Sequence, residues 1–234
     1  MNLLLFSNST NFGENYFEFP VPYIDSFLKG SSKKCLFFPY AGVTVSWNDY
    51  ESKVKSRFES LGHSLVSVHH SDDILKSISE AEVLVIGGGN TFNLIHHLHS
   101  LKLIEPIRNK VLSGTPFIGW SAGSNVACPT ICTTNDMPII QPPSFEALNL
   151  VSFQINPHFT EAVIPNHGGE TRDSRIQEFL EINRTKKVIG LREGSLIQYA
   201  NRKAELLGKN GAKIFEYNKA PVELLPGNSL SFLF

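Results

Sequence analysis

The sequence predicts an α/β fold: a largely parallel sheet covered by helices, with antiparallel hairpins at its C-terminal end. Three observations carry that reading. Short, wholly apolar stretches recur at Leu3 to Phe6, Cys35 to Phe38, Leu65 to Val68, Val83 to Ile86, Phe117 to Trp120 and Val188 to Leu191, the pattern of strands buried on both faces. Helical spacing fills most of the intervals, so strand and helix alternate. From Leu196 onward the segments become short and are punctuated by Asn201, Gly208, Gly211 and Asn218, as hairpins are.

Element by element, the first strand ends in the polar run Ser7-Asn8-Ser9. Val54, Phe58 and Leu61 recur at helical spacing within Tyr50 to Leu61, and Gly62 stops that helix. Asp72 or Asp73 caps Ile74 to Ile78, and Asn90 or Thr91 caps a helix through Leu94, Ile95 and Leu98. After Phe117 to Trp120 a short helix through Asn125 to Ala127 is expected. The apolar Leu148 to Ile155 gives way to a polar turn carrying His158, and Thr171 precedes a helix holding Ile176, Phe179 and Leu180. Leu196 to Tyr199, Glu205 to Leu207, Lys213 to Tyr217 and Val222 to Leu224 are the hairpin strands, expected to close one edge of the sheet.

With 41% hydrophobic and 11% aromatic residues, the 234-residue chain has the apolar material for one core, which excludes disorder and a coiled coil. No repeat or linker divides it, so residues 1–234 are expected to form a single domain. Lys+Arg 21 against Asp+Glu 22 leaves a formal net charge of -1, without the basic excess that nucleic-acid or membrane-surface binding uses. No segment approaches the roughly 20 apolar residues of a membrane helix, and the N-terminus has no charged leader before its apolar run. Cys35, Cys128 and Cys132 show no paired C-x-x-C spacing, so a reducing cytoplasm is expected, with neither disulfides nor a zinc site. His69-His70 and His96-His97-His99 have no Cys or carboxylate at ligand spacing and read as surface or strand-end histidines; no metal or cofactor is expected.

The chemistry concentrates where parallel strands end. Gly119-Trp120-Ser121-Ala122-Gly123 follows an apolar strand and precedes a helix, the setting in which a tight turn lifts a nucleophilic serine above the sheet. The Ala122 amide would then face a developing oxyanion. Gly87-Gly88-Gly89 lies between strand and helix without the G-x-G-x-x-G spacing of a dinucleotide site, so the cluster is read as supplying a second oxyanion donor rather than a phosphate cradle. His158, in Asn156-Pro157-His158-Phe159, is the favoured base, with His63 and His167 as weaker candidates. Two carboxylates could orient it: Glu193, at the end of Val188 to Leu191, ranks ahead of the loop residue Asp136. Arg172 and Arg175, on one face of a first helical turn, suit a substrate carboxylate.

Gly87-Gly88-Gly89-Asn90-Thr91-Phe92, Gly119-Trp120-Ser121-Ala122-Gly123-Ser124-Asn125, Asn156-Pro157-His158-Phe159 and Gly169-Glu170-Thr171-Arg172 occur in one order. Together they resemble the peptidase E family, the aspartyl dipeptidases. The resemblance implies a cytosolic serine peptidase on a three-layer, doubly wound, flavodoxin-like sheet similar to class I glutamine amidotransferases, without a cofactor. It implies Ser121 as nucleophile, His158 as base, Glu193 or Asp136 as acid, the amides of Gly88 and Ala122 as oxyanion hole, and Arg172 on the aspartate of an Asp-Xaa dipeptide. A cyanophycinase-like peptidase acting on aspartyl polymers, and a non-catalytic binder of aspartyl metabolites, are the alternative readings.

Overall fold

The computed structural model describes residues 1–162, 166 and 168–233. The elements run β1 (Leu3–Phe6), α1 (Val21–Phe27), β2 (Lys34–Phe38), α2 (Trp47–Ser60), β3 (Ser64–Ser67), α3 (Ile74–Glu80), β4 (Val83–Ile86), α4 (Thr91–Ser100), α5 (Ile104–Leu112), β5 (Phe117–Trp120) and α6 (Ala122–Asn125). The second half adds β6 (Gln154–Phe159), α7 (Arg172–Ile182), β7 (Lys187–Arg192), β8 (Ser195–Ala200), β9 (Lys203–Gly208), β10 (Ala212–Glu216) and β11 (Val222–Leu224). Among the described residues the strands pair into a seven-stranded sheet, β3-β2-β4-β5-β1-β8-β9, and a four-stranded sheet, β11-β10-β7-β6.

The alternation of side chains along a strand builds three layers. Leu3 and Leu5 join the cluster under α4 and α5, with Leu94, Leu98 and Ile107. Leu4 and Phe6 join the opposite one under α1 and α2, with Ile24, Val54 and Phe58. All four β1 residues have no solvent exposure, and at roughly 1.5–3 kcal/mol per buried large apolar side chain this short interior strand ties both faces together.

The segments after β2 and β4 depart in opposite directions: α2 leads to β3 on one side of β2, and α4 and α5 lead to β5 on the other side of β4. That divergence opens a crevice beyond the strand ends. Asp73, Asn90 and Thr171 cap α3, α4 and α7 by accepting amide bonds from Lys76, Asn93 and Ser174.

Three expectations need correction. Val188 to Leu191 does not extend the main sheet. As β7 it pairs in parallel with β6 and antiparallel with β10, while β8 takes the place beside β1. The C-terminal hairpins are accordingly divided: β8 and β9 close the edge of the main sheet, and β10 and β11 belong to the second. The helix after β5 spans Ala122–Asn125 rather than Asn125 to Ala127: it starts at once because the amides of Asn125 and Val126 bond back to Ser121 O and Ala122 O, and beyond it the carbonyls of Val126 and Ala127 accept the amides of Leu148 and Leu150.

Candidate active site

Ser121 sits between β5 and α6 with φ 53 and ψ -114, a conformation that costs a non-glycine residue about 1–3 kcal/mol and that persists only where its surroundings impose it. They do so here. The Ser121 amide donates to Phe6 O at 3.1 Å, and Ser124 Oγ reaches Phe6 O and Gly119 O at 2.7 and 2.9 Å. A Cβ on Gly123 would stand 2.1 Å from Ile86 O, so only glycine lets α6 start this close to β4. We expect Gly123→Ala to cost about 3 kcal/mol or more, lowering the melting temperature by roughly 6–12 °C; a melt within 2 °C of wild type would remove this account of the elbow.

His158 lies on β6 rather than in the polar turn expected of it. The β6–β7 register shifts between Asn156 and Phe159, and His158 has φ 52; such an irregularity re-aims one side chain of a strand. The imidazole Nε2 thereby stands 2.9 Å from Ser121 Oγ and Nδ1 2.7 Å from Glu193 Oε1. His158 and Glu193 are held from behind by residues that composition and spacing had not singled out. Ser7, fully buried just beyond β1, accepts from the His158 amide at 2.9 Å and donates to Leu191 O at 2.8 Å. Asn8 Oδ1 accepts from the Gly194 amide at 2.8 Å, and Asn210 Nδ2 donates to Glu193 O at 2.7 Å. The Glu193 backbone is thus fixed where the chain passes from the second sheet to the first.

The oxyanion candidates flank the serine. A Cβ on Gly88 would lie 3.0 Å from Ser121 Cβ, so the glycine backbone abuts Ser121. Its carbonyl accepts from Tyr50 Oη at 2.9 Å, and Tyr50 Oη in turn accepts from Trp120 Nε1 at 3.1 Å. Burial holds the Tyr50 hydroxyl well above the ordinary phenol range, which keeps it a donor. Ala122 is the first residue of α6, and its amide belongs to the first turn of donors that a helix leaves without an internal partner.

A family model, Peptidase family S51, matches residues 3–207. The chain belongs to peptidase family S51. A Peptidase E of Nostoc is 50% identical over 99% of this chain and 96% of its own. A Peptidase E of Salmonella typhimurium is 44% identical over 97% of this chain and 99% of its own. A putative Peptidase E protein from Listeria monocytogenes aligns with a TM-score of 0.67 at 22% identity, covering 89% of this chain and 98% of its own. A peptidase from an acI-B1 Actinobacterium gives 0.73 at 18%, covering 99% and 96%; at those identities the solved structures speak for the fold. Like its S51 relatives, this chain is a peptidase.

The remaining candidates distribute around this S51 centre. A cavity of about 940 Å³ opens over Ser121, His158 and Gly88 and is also lined by Asp136. Asp136 does not reach His158. Its Oδ2 accepts from Thr91 N at 2.7 Å and Thr91 Oγ1 at 2.6 Å, because the loop carries it to the first turn of α4, where backbone donors and the helix dipole favour a carboxylate. Arg172 opens α7 and lines a smaller cavity of about 150 Å³, again shared with Asp136. Its Nη1 donates to Asn135 Oδ1 at 2.5 Å. Asn135 Nδ2 donates to Pro157 O at 2.6 Å, joining Arg172 to the strand that carries His158. Burial and the neighbouring Arg175 lower the Arg172 pKa against the pull of Asp136; among the described residues no carboxylate pairs with it.

Of the weaker base candidates, His63 is buried with its Nδ1 accepting from the Lys33 amide, and His167 lies outside the described residues. His69-His70 do have a carboxylate, contrary to expectation: Glu51 of α2 stands 2.7 Å from His70 Nε2, and the ligand atoms of Glu51, His69 and His70 lie within 4.8 Å of one another. Those three could hold a cation, on a feature that linear spacing cannot register. No helix among the described residues is long and apolar enough to cross a membrane.

Proposed function

We propose that the chain is a serine-type dipeptidase that removes an N-terminal aspartate from Asp-Xaa through an acyl-enzyme. The observation that carries it is the continuous line from Ser121 Oγ to His158 Nε2, and from His158 Nδ1 to Glu193 Oε1. Ser121 attacks the peptide carbonyl while His158 takes its proton and Glu193 stabilises the resulting imidazolium. The oxygen that becomes anionic meets the amides of Gly88 and Ala122. His158 then gives the proton to the leaving amine, which departs as the free second residue. Water, deprotonated by His158, hydrolyses the aspartyl ester and restores the serine.

Selection of aspartate rests on Arg172. A guanidinium in a small, half-buried cavity with no carboxylate partner among the described residues is suited to a short acidic side chain. Cys35 and Cys128, buried free thiols whose burial pushes them up to about 12, agree with a reducing compartment, and we assign the enzyme to the cytoplasm.

The test is release of leucine from Asp-Leu, Glu-Leu, Asn-Leu and Leu-Leu. We expect cleavage of Asp-Leu alone. Arg172→Met should lower kcat/KM for Asp-Leu by a hundredfold or more, since a lost charge-assisted pair of this kind costs about 2–5 kcal/mol. Preference for Leu-Leu, cleavage of Asn-Leu as efficient as that of Asp-Leu, or an Arg172→Met enzyme that keeps its kcat/KM on Asp-Leu would overturn the assignment. Cleavage of poly-aspartyl chains in preference to Asp-Leu would favour the polymer-cleaving alternative.

A further inference from the structure

We propose that Asp136 receives the free α-ammonium of the substrate and thereby makes the enzyme read the N-terminus of its peptide; the inference rests on the dipeptidase reading above. An N-terminal aspartyl residue presents two opposite charges on one carbon skeleton, the side-chain carboxylate and the α-ammonium, beside the scissile carbonyl. A site for it needs a fixed cation, a fixed anion and an oxyanion hole at matching corners. Asp136 is the one carboxylate that lines the main cavity among the described residues, and it also lines the smaller cavity with Arg172. It stands where the two spaces meet. The substrate's own charge pair would therefore be received by an Arg172 and Asp136 pair of complementary sign.

The carboxylate is built to stay in place. Oδ2 accepts from both the amide and the hydroxyl of Thr91, while Thr134 Oγ1 donates to Thr91 Oγ1 at 3.0 Å and accepts from the Asp136 amide at 3.2 Å. One residue on, Met137 O accepts from Asn90 Nδ2 at 2.9 Å. These bonds occupy a single carboxylate oxygen, and among the described residues no donor meets Oδ1. A rigid anion with one oxygen unused, lining both the Arg172 cavity and the cavity over Ser121, is suited to a primary ammonium. Holding that ammonium also fixes which face of the carbonyl turns to the serine.

Succinyl-leucine, which is Asp-Leu without the α-amino group, isolates the contact. Binding of both ligands is measured by calorimetry on Ser121→Ala and on Ser121→Ala/Asp136→Asn, with thermal melts confirming that both fold. Asparagine keeps an oxygen for Thr91, removes the charge and puts an NH2 donor where the free oxygen would receive the ammonium. The single variant should bind Asp-Leu at least tenfold tighter than succinyl-leucine, and the double variant should lose that preference to within about twofold. Parallel weakening of both ligands would assign Asp136 a structural role, and an undiminished preference would place the ammonium elsewhere; either overturns the proposal. The otherwise wild-type Asp136→Asn enzyme should show its loss mainly in KM, and a loss confined to kcat would return Asp136 to the proton-transfer chain and overturn it too. Absence of Asp-Leu hydrolysis by the wild type is a separate result, which overturns the dipeptidase reading itself.

Discussion

Ser121→Ala is expected to abolish hydrolysis of Asp-Leu, with kcat falling by roughly 10⁶, as when the serine of a Ser-His-acid triad is removed. The size follows from the covalent route, because the two easier steps through an acyl-enzyme disappear and only the polarising amides remain. The substitution should cost little stability. Ser121 Oγ bonds to His158, whereas the strained turn is held by the Ser121 amide and by Ser124, none of which alanine disturbs. Binding should survive as well, since Arg172 and Asp136 remain. The checks are product release by chromatography, a thermal melt and calorimetric titration with Asp-Leu. Folded, ligand-binding, inactive protein is the expected combination. Activity within tenfold of wild type would mean that another group attacks the carbonyl.

The interior parallel strands β1, β2, β4 and β5 could be read from the chain because each carries a run of four apolar residues buried on both faces, whereas β3, at the sheet edge, buries only alternate residues. What the pattern cannot register is which strand lies beside which. Val188 to Leu191 and Val83 to Ile86 look alike as sequence, yet β7 pairs with β6 and β10 while β4 enters the main sheet. Pairing is decided by chain direction, connection length and available edges, none of which resides in the four apolar residues themselves.

The site divides along the same line. Ser121 and Gly88 stand in local turns whose glycines announce them. His158 is recognisable as a residue but not in its conformation, since the irregularity that aims it depends on pairing with β7. Ser7, Asn8 and Tyr50 act across separations of 151, 186 and 38 residues, beyond the reach of any spacing rule. The run Ser7-Asn8 did offer one signal, buried polar residues immediately after an interior strand, which is where ligand-facing loops of such sheets begin. The rivalry of Glu193 and Asp136 had the same origin: a place at a strand end ranks Glu193 ahead of the loop residue Asp136, but only the three-dimensional course of each segment brings one carboxylate to His158 and the other to Thr91.

Glu193→Gln is the second large effect expected. Glutamine is nearly isosteric, and its backbone would stay pinned by Asn210 and by the Gly194 bond to Asn8. The change therefore removes charge with little movement. It acts in two ways: a neutral amide stabilises the imidazolium less, and its NH2 can turn toward Nδ1 and hold the tautomer whose Nε2 carries a proton and cannot accept one from Ser121. Loss of a triad acid costs about 10⁴ in kcat where the acid is buried. Here the Glu193 and His158 side chains are 51% and 41% exposed, so water partly replaces the lost carboxylate and a loss of about 10³ is expected, equivalent to roughly 4 kcal/mol in the barrier. KM should change little, because Glu193 does not line the main cavity. Asp136→Asn should give the opposite division, a large effect on KM and a small one on kcat. Steady-state kinetics on Asp-Leu with the two variants side by side separates the roles. A larger kcat loss in Asp136→Asn than in Glu193→Gln would make the 2.7 Å contact between His158 and Glu193 incidental to catalysis.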